Sequence, residues 1–295
     1  MVKKEGFLSQ QMMRFSTAVI LLSMAEVGWV LLTPVRAQER RPGEAINSVV
    51  PLGTTLPQAY WDAIEDARTP EPNEVFRNLT AITPYNNTLV RDDQDRVLVT
   101  TWTTWNGYTQ NIGNRLILTR DLWVTVVPDL QNFCENYTPT AEIPLAARLN
   151  QLLGLPPETS DRLASRQVVE IWVDPQFLFR PSPDPEITDH EAELGFRSAN
   201  EFLSVSSAYQ QWFYAQYDQR YQSNGQPITR TSVEASGTLP YPWTQLGYTY
   251  DWGSSSDWAT VEPNHPENVG LSEFVIRQWS PISVKATRSV DDYCR

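Results

Sequence analysis

Between Phe177 and Glu193 the sequence reads FLFRPSPDPEITDHEAE, which sets His190, one of the two histidines in the chain, among five acidic residues. A divalent ion with oxygen ligands and one nitrogen requires carboxylates and an imidazole on a stiff loop, so Asp184, Glu186 and His190 are the candidate ligands, and a divalent metal is the cofactor they imply. Without a metal, His190 and Glu191 are the candidates for catalytic acid/base work. A plainer account uses the same residues. Pro181, Pro183 and Pro185 fix their own φ and push Ser182 and Asp184 into extended conformations. Thr188 and Glu191 stand at capping-box spacing, which predicts a short helix ending at Gly195 with its acids against the positive end of the helix dipole. Both accounts remain open at this level. No HExxH, EF-hand loop or GxSxG elbow occurs in the chain.

A second set of residues suits a ligand with a ring. TTWTTWNGY holds Trp102, Trp105, Asn106 and Tyr108, and YTYDWGSSSDW holds Tyr248, Tyr250, Asp251, Trp252, Asp257 and Trp258. Exposed indole faces beside Asp and Asn would hold a saccharide, whose rings offer C–H faces and hydroxyl edges, and Trp105, Asp251, Trp252 and Trp258 are the ligand-binding candidates. The alternative is an aromatic-rich core, since Trp and Tyr favour strands and bury a large area. Trp258 follows a polar run, and the expectation is that it is more exposed than Trp123 or Trp172, which sit in β-branched runs.

The first 37 residues have the parts of a secretory signal: Lys3, Lys4 and Arg14, an apolar run from Phe15 to Leu32, and Pro-Val-Arg-Ala ending at Ala37. Cleavage after Ala37 gives a periplasmic or extracellular protein with Gln38 first, and no membrane association thereafter. An uncleaved anchor is the competing expectation, because Glu26 interrupts a long run. Removing residues 1 to 37 takes away four basic and two acidic residues and moves the net charge from −12 to near −14. Nucleic acid and anionic lipid bind through clustered Lys and Arg, so this balance argues against both as partners. Lys285 is the only lysine left, so a phosphate-binding GxxxxGK loop is excluded. Cys134 and Cys294 are the only cysteines, and in an oxidising compartment they read as one disulfide.

Residues 38–58 are polar and proline-containing and read as a loose leader to one domain over 59–295. A helix is expected over Gln58 to Ala67, strands in RVLVTTWTTW, RLILTRDLWVTVVP and RQVVEIWVDP, and a helix in IPLAARLNQLLGLPP. Ser198 and Glu201 predict the capped start of a long helix from Ala199 to Tyr221 with one apolar stripe. QLGYTYDWG, LSEFVIRQW and PISVKATR close the chain as strands. Helices and strands neither alternate regularly nor separate into halves, so the fold class is α+β, a mixed or largely antiparallel sheet with flanking helices in a single domain.

RDLWVTVVPDLQNFC, RLNQLLGLPP, VVEIWVDPQFLFRPSPDPEITD, PYPWTQLGYTYDWG and GLSEFVI, in that order, resemble a group of uncharacterised exported bacterial proteins, cyanobacterial ones in particular. The resemblance spans about 97 to 277. It implies a secreted or envelope protein and brings no activity and no residue roles with it. Two functions are therefore carried forward: an extracytoplasmic binding or interaction protein recognising a glycan or cell-envelope component, and a secreted metal-assisted or acid/base hydrolase centred on the His190 segment.

Overall fold

Pro57 caps the first helix, α1 (Gln58–Asp66), which turns Tyr60, Trp61, Ala63 and Ile64 inward. The structure, a computed structural model, describes residues 56–198, 204–236 and 239–295. Residues 1–37, where an export signal is expected, and most of the polar leader lie outside the described residues. β1 (Val97–Thr103) is buried along nearly its whole length, in keeping with a run of β-branched, apolar and aromatic residues. The next run divides into β2 (Arg115–Ile117) and β3 (Leu122–Val126), and Pro128 in the first turn then starts α2 (Val127–Asn136) directly. α3 (Leu145–Leu152) ends before Gly154, whose φ of 65° lets the chain turn back. A short α4 (Ser160–Ala164), capped by Thr159, leads into β4 (Gln167–Val173) and β5 (Leu178–Phe179).

After the loop that follows β5 comes α5 (Ser207–Tyr221), and Asn224-Gly225, both at positive φ, turn a small hairpin of β6 (Gln222–Ser223) and β7 (Gln226–Pro227). The chain closes with α6 (Arg230–Ser236), β8 (Tyr248–Tyr250), β9 (Val269–Ser272), β10 (Phe274–Ile276), β11 (Pro281–Arg288) and α7 (Val290–Tyr293).

Seven strands form one antiparallel sheet in the order β2-β11-β4-β1-β3-β10-β5, with β8 and β9 as a separate pair. Helices flank it, so the fold is α+β with one principal sheet. On one face Val97, Val99, Val126, Ile171, Phe274 and Ile282 make a continuous apolar cluster. On the other, Trp102 and Val168 pack with Leu130 and Phe133 of α2 and Leu149 and Leu152 of α3. A third cluster joins α1 to Phe213 and Tyr221 of α5 and to Trp243, Tyr250 and Trp252. Cys134 and Cys294 are joined, with Cα atoms 5.3 Å apart, tying the end of α2 to the chain just after α7. No helix among the described residues is long and apolar enough to cross a membrane.

The sheet is forked. β1 pairs with β3 only at Val99↔Val126 and Thr100↔Thr125. Past that point β1 stays with β4 as far as Thr103↔Gln167, while the other end of β3, back to Leu122, stays with β10. Extending the register would set the indoles of Trp102 and Trp123 against each other, and the two strands part instead.

Two expected helices differ. Residues 204–206 are not helical, and Ser206 rather than Ser198 is the N-cap of α5, accepting the Tyr209 N–H; residues 199–203, Glu201 among them, lie outside the described residues. No helix follows Thr188. Its hydroxyl bonds the Glu186 carboxylate, and the carbonyls a helix would need are taken elsewhere. Ile187 and His190 accept from the backbone N–H groups of Ile82 and Leu79, and Asp189 and Glu191 accept from the Arg180 guanidinium. Tertiary bonds outcompete the first turn of a short helix, whose nucleation is unfavourable.

Candidate functional site

The acidic segment folds around an arginine. Asp184, Glu186 and Asp189 have carboxylate oxygens within 4.8 Å of one another, but His190 is not part of that group. Its Nδ1 lies 2.8 Å from the Leu79 carbonyl, which corrects the expected ligand set of Asp184, Glu186 and His190. Arg180, fully buried, faces these acids, 3.3 Å from Asp189 Oδ1, and its pKa is lowered by burial and raised by all three carboxylates. Glu191, the other catalytic candidate, pairs with Arg77 at the surface. Arg180 pairs directly with Asp189 alone, while Asp184 lies 4.0 Å from Arg197 and Glu186 accepts from Thr188.

The second aromatic segment is also structural. Asp251, buried, receives both Nη atoms of Arg148 at 2.8 and 2.6 Å, and accepts the Trp258 Nε1 proton at 2.9 Å. Arg148 is itself fully buried and reaches Asp257 through Nε at 2.6 Å. Such a pair stands only if enclosed and hydrogen-bonded on every side, and Trp258 is part of the enclosure, stacked on His265 with ring centroids 3.6 Å apart. Trp258 is thus 6 % exposed and less exposed than either Trp123 or Trp172, the reverse of the expectation, because the polar run before it supplies Asp257 to Arg148. Trp252 is buried too, donating to the Leu155 carbonyl. Lys285 pairs with Glu170 at 3.1 Å.

Trp105 alone among the four ligand candidates lines a cavity. The fork between β1 and β3 opens into a space of about 400 Å³ walled by Trp102, Trp105, Tyr108, Trp123, Trp243 and Tyr250. This size is ordinary for small-molecule sites, which run from about 300 to 1,000 Å³. Each wall is held from behind. Trp102 Nε1 donates to Asn150 at 2.9 Å, and the Trp102 carbonyl, at the parting of the strands, accepts from Arg166 at 2.9 Å. Trp105 lies edge-on to Tyr108 at 4.4 Å over Gly107, where a Cβ would overlap the indole. Trp243 has its backbone N–H and carbonyl bonded to the Tyr221 hydroxyl of α5 at 2.8 and 2.7 Å.

Some polar groups of the cavity are engaged by the protein. Arg162 and Arg166 share the single carboxylate of Glu158, and both oxygens of Asp121 are occupied by Trp212 Nε1 and the Gln278 backbone N–H. Thr100 Oγ1, Thr125 Oγ1, Trp243 Nε1 and Glu273 Oε2, by contrast, are buried and have no partner. Glu273 is the single residue between β9 and β10, where the chain leaves the two-stranded sheet for the large one. Since Phe274 pairs with Val124, alternation sets Glu273 across from Thr125 on the face that carries Trp123. Burial pushes the Glu273 carboxyl up to about 8, against the pull of the Arg220 guanidinium.

Trp123, Trp243, Arg220 and Glu273 were missed in the sequence. The one available signal was Trp123 in its strand; the other three come from segments with no motif. The chain matches no protein-family model, no curated protein and no solved structure.

Proposed function

We propose that the protein is an exported binding protein whose ligand, a sugar ring from a glycan or envelope component, lies in the fork between β1 and β3. The observation that carries this reading is the combination of aromatic walls with four buried polar atoms, on Thr100, Thr125, Trp243 and Glu273, that have no protein partner. A buried polar group without a partner costs about 1 to 3 kcal/mol, and a ligand that supplies the bonds recovers that cost on binding. Indole faces meet the C–H faces of a sugar, and the Trp, Thr and Glu groups meet its oxygens. Export is supported by the basic start, apolar run and Val-Arg-Ala end of residues 1–37, and by a disulfide, which persists in oxidising compartments. The acidic balance supports the exclusion of nucleic acid as partner.

A hydrolase is the second reading, and Glu273 is what favours it, because a carboxyl protonated near neutral pH is what a general acid requires. The only other carboxylate lining the cavity among the described residues is Asp121, whose oxygens are both engaged, so a partner base is missing and binding remains the better account.

Calorimetric titration of the disulfide-intact protein with neutral and acidic mono- and disaccharides tests the proposal. Binding should appear for at least one sugar and fall at least about tenfold in Trp123→Ala and Trp105→Ala, while Trp172→Ala, outside the cavity, binds as before. No sugar binding at millimolar concentration, or equal loss in all three variants, would refute it.

A further inference from the structure

Arg220, near the end of α5, also lines the cavity. Its guanidinium carbon lies 4.5 Å from the Trp123 ring centre and 5.2 Å from that of Trp243. Its hydrogen bonds run from one Nη to the carbonyl and Oε1 of Gln216, at 3.2 and 2.7 Å. Among the described residues no carboxylate comes within 4 Å of it, whereas Arg148, Arg166 and Arg180 each have one. Arg220 is half-buried, and the carboxylate that acts on it most strongly, Glu273, is not in contact with it.

The neighbours of Arg220 have the same polarity. Trp243 Nε1 can only donate, the guanidinium can only donate, and the Thr125 hydroxyl is free to donate. Glu273, which would be the natural counter-ion, is held in its neutral form by burial up to a pH of about 8 and is then a donor as well. A neutral sugar can accept from this set but brings no charge to balance the guanidinium. A carboxylate, acceptor-only and planar, matches it, and a guanidinium is the side chain whose fork fits it.

Resting on the binding reading above, we infer that the ligand of the cavity is a carboxylated sugar, its carboxylate on Arg220 and Trp243 Nε1 and its ring against Trp123. Arg220 is the residue that discriminates acidic from neutral sugars.

The test compares uronic-acid monosaccharides and disaccharides with their methyl esters, which keep the ring and remove the charge. Calorimetry on the wild-type protein should give at least about tenfold tighter binding of the acid. In Arg220→Gln the ratio of acid to ester affinity should collapse toward one, and Arg220→Lys should restore part of it. Arg120 also lines the cavity, and Arg115, outside it, serves as the control: Arg115→Gln should keep the ratio. Equal binding of acid and ester by the wild type overturns the inference and leaves the binding site standing, as does collapse of the ratio in Arg120→Gln or Arg115→Gln in place of Arg220→Gln. Binding of neither acid, ester nor neutral sugar overturns the site itself. The wild-type comparison decides the matter even if a variant fails to fold.

Discussion

Glu273 carries the most pH-sensitive statement that can be made about a single residue. Its folded pKa of about 8 lies above that of an unfolded glutamate, about 4.3, so its contribution to stability is fully present below the lower value and is lost as pH rises toward the upper one. Glu273→Gln has no such proton. The stability of the wild type relative to this variant should therefore fall between about pH 5 and 8, by at most about 1.4 kcal/mol per pH unit, in urea denaturation series. Parallel curves would show that Glu273 is ionised throughout. Trp258 makes the opposite case, a residue whose chemistry is spent on structure. Trp258→Ala removes the donor to Asp251 and the ring over His265, and should cost about 3 to 5 kcal/mol, with sugar affinity of the remaining folded protein kept. Selective loss of binding with unchanged Tm would return it to the surface role expected from its polar neighbours.

At the scale of elements, the segment Phe177–Glu193 divides labour differently from its capping-box spacing. Thr188→Ala should change stability by less than about 0.5 kcal/mol, since Thr188 bonds only the exposed Glu186. Arg180→Ala should cost about 3 to 5 kcal/mol, because it strips the carbonyls of Asp189 and Glu191 of their donor and leaves the Asp189 carboxylate without its cation. If the order of the two costs were reversed, a cap would be present after all. The elements that were legible have a local cause. β1, β4 and β11 read as strands because burial demands β-branched residues along them, and α1 and α3 because Pro, Gly and apolar spacing mark their ends. α2 was overlooked although Pro128 is a helix-start signal, because the strand before it runs into it without a break. The helix after Thr188 was wrongly expected because its competitors, Leu79 and Ile82, lie more than a hundred residues earlier.

Across the whole molecule, the disulfide closes a separation of 160 residues, for which the loop-entropy argument gives about 5 kcal/mol as an upper figure. Reduction should lower Tm clearly while leaving the strand signal in circular dichroism, because the central sheet neighbours pair without it. The candidate site was the least legible feature. Trp105 could be singled out, but a cavity that exists because β1 follows β4 while β3 follows β10 has no local signature, and Arg220, Trp243 and Glu273 reach it from three distant segments. For the same reason Asp251 read as a ligand residue: its partner Arg148 is 103 positions away. The account rests on that fork, and crystals of the disulfide-intact protein soaked in a uronic disaccharide test it most directly. The prediction is density for a sugar ring beside Trp123, with an oxygen within hydrogen-bond distance of Trp243 Nε1 and a carboxylate on Arg220. A sheet zipped from Thr100↔Thr125 onward through Thr103 and Leu122, with no space between the strands, would contradict it.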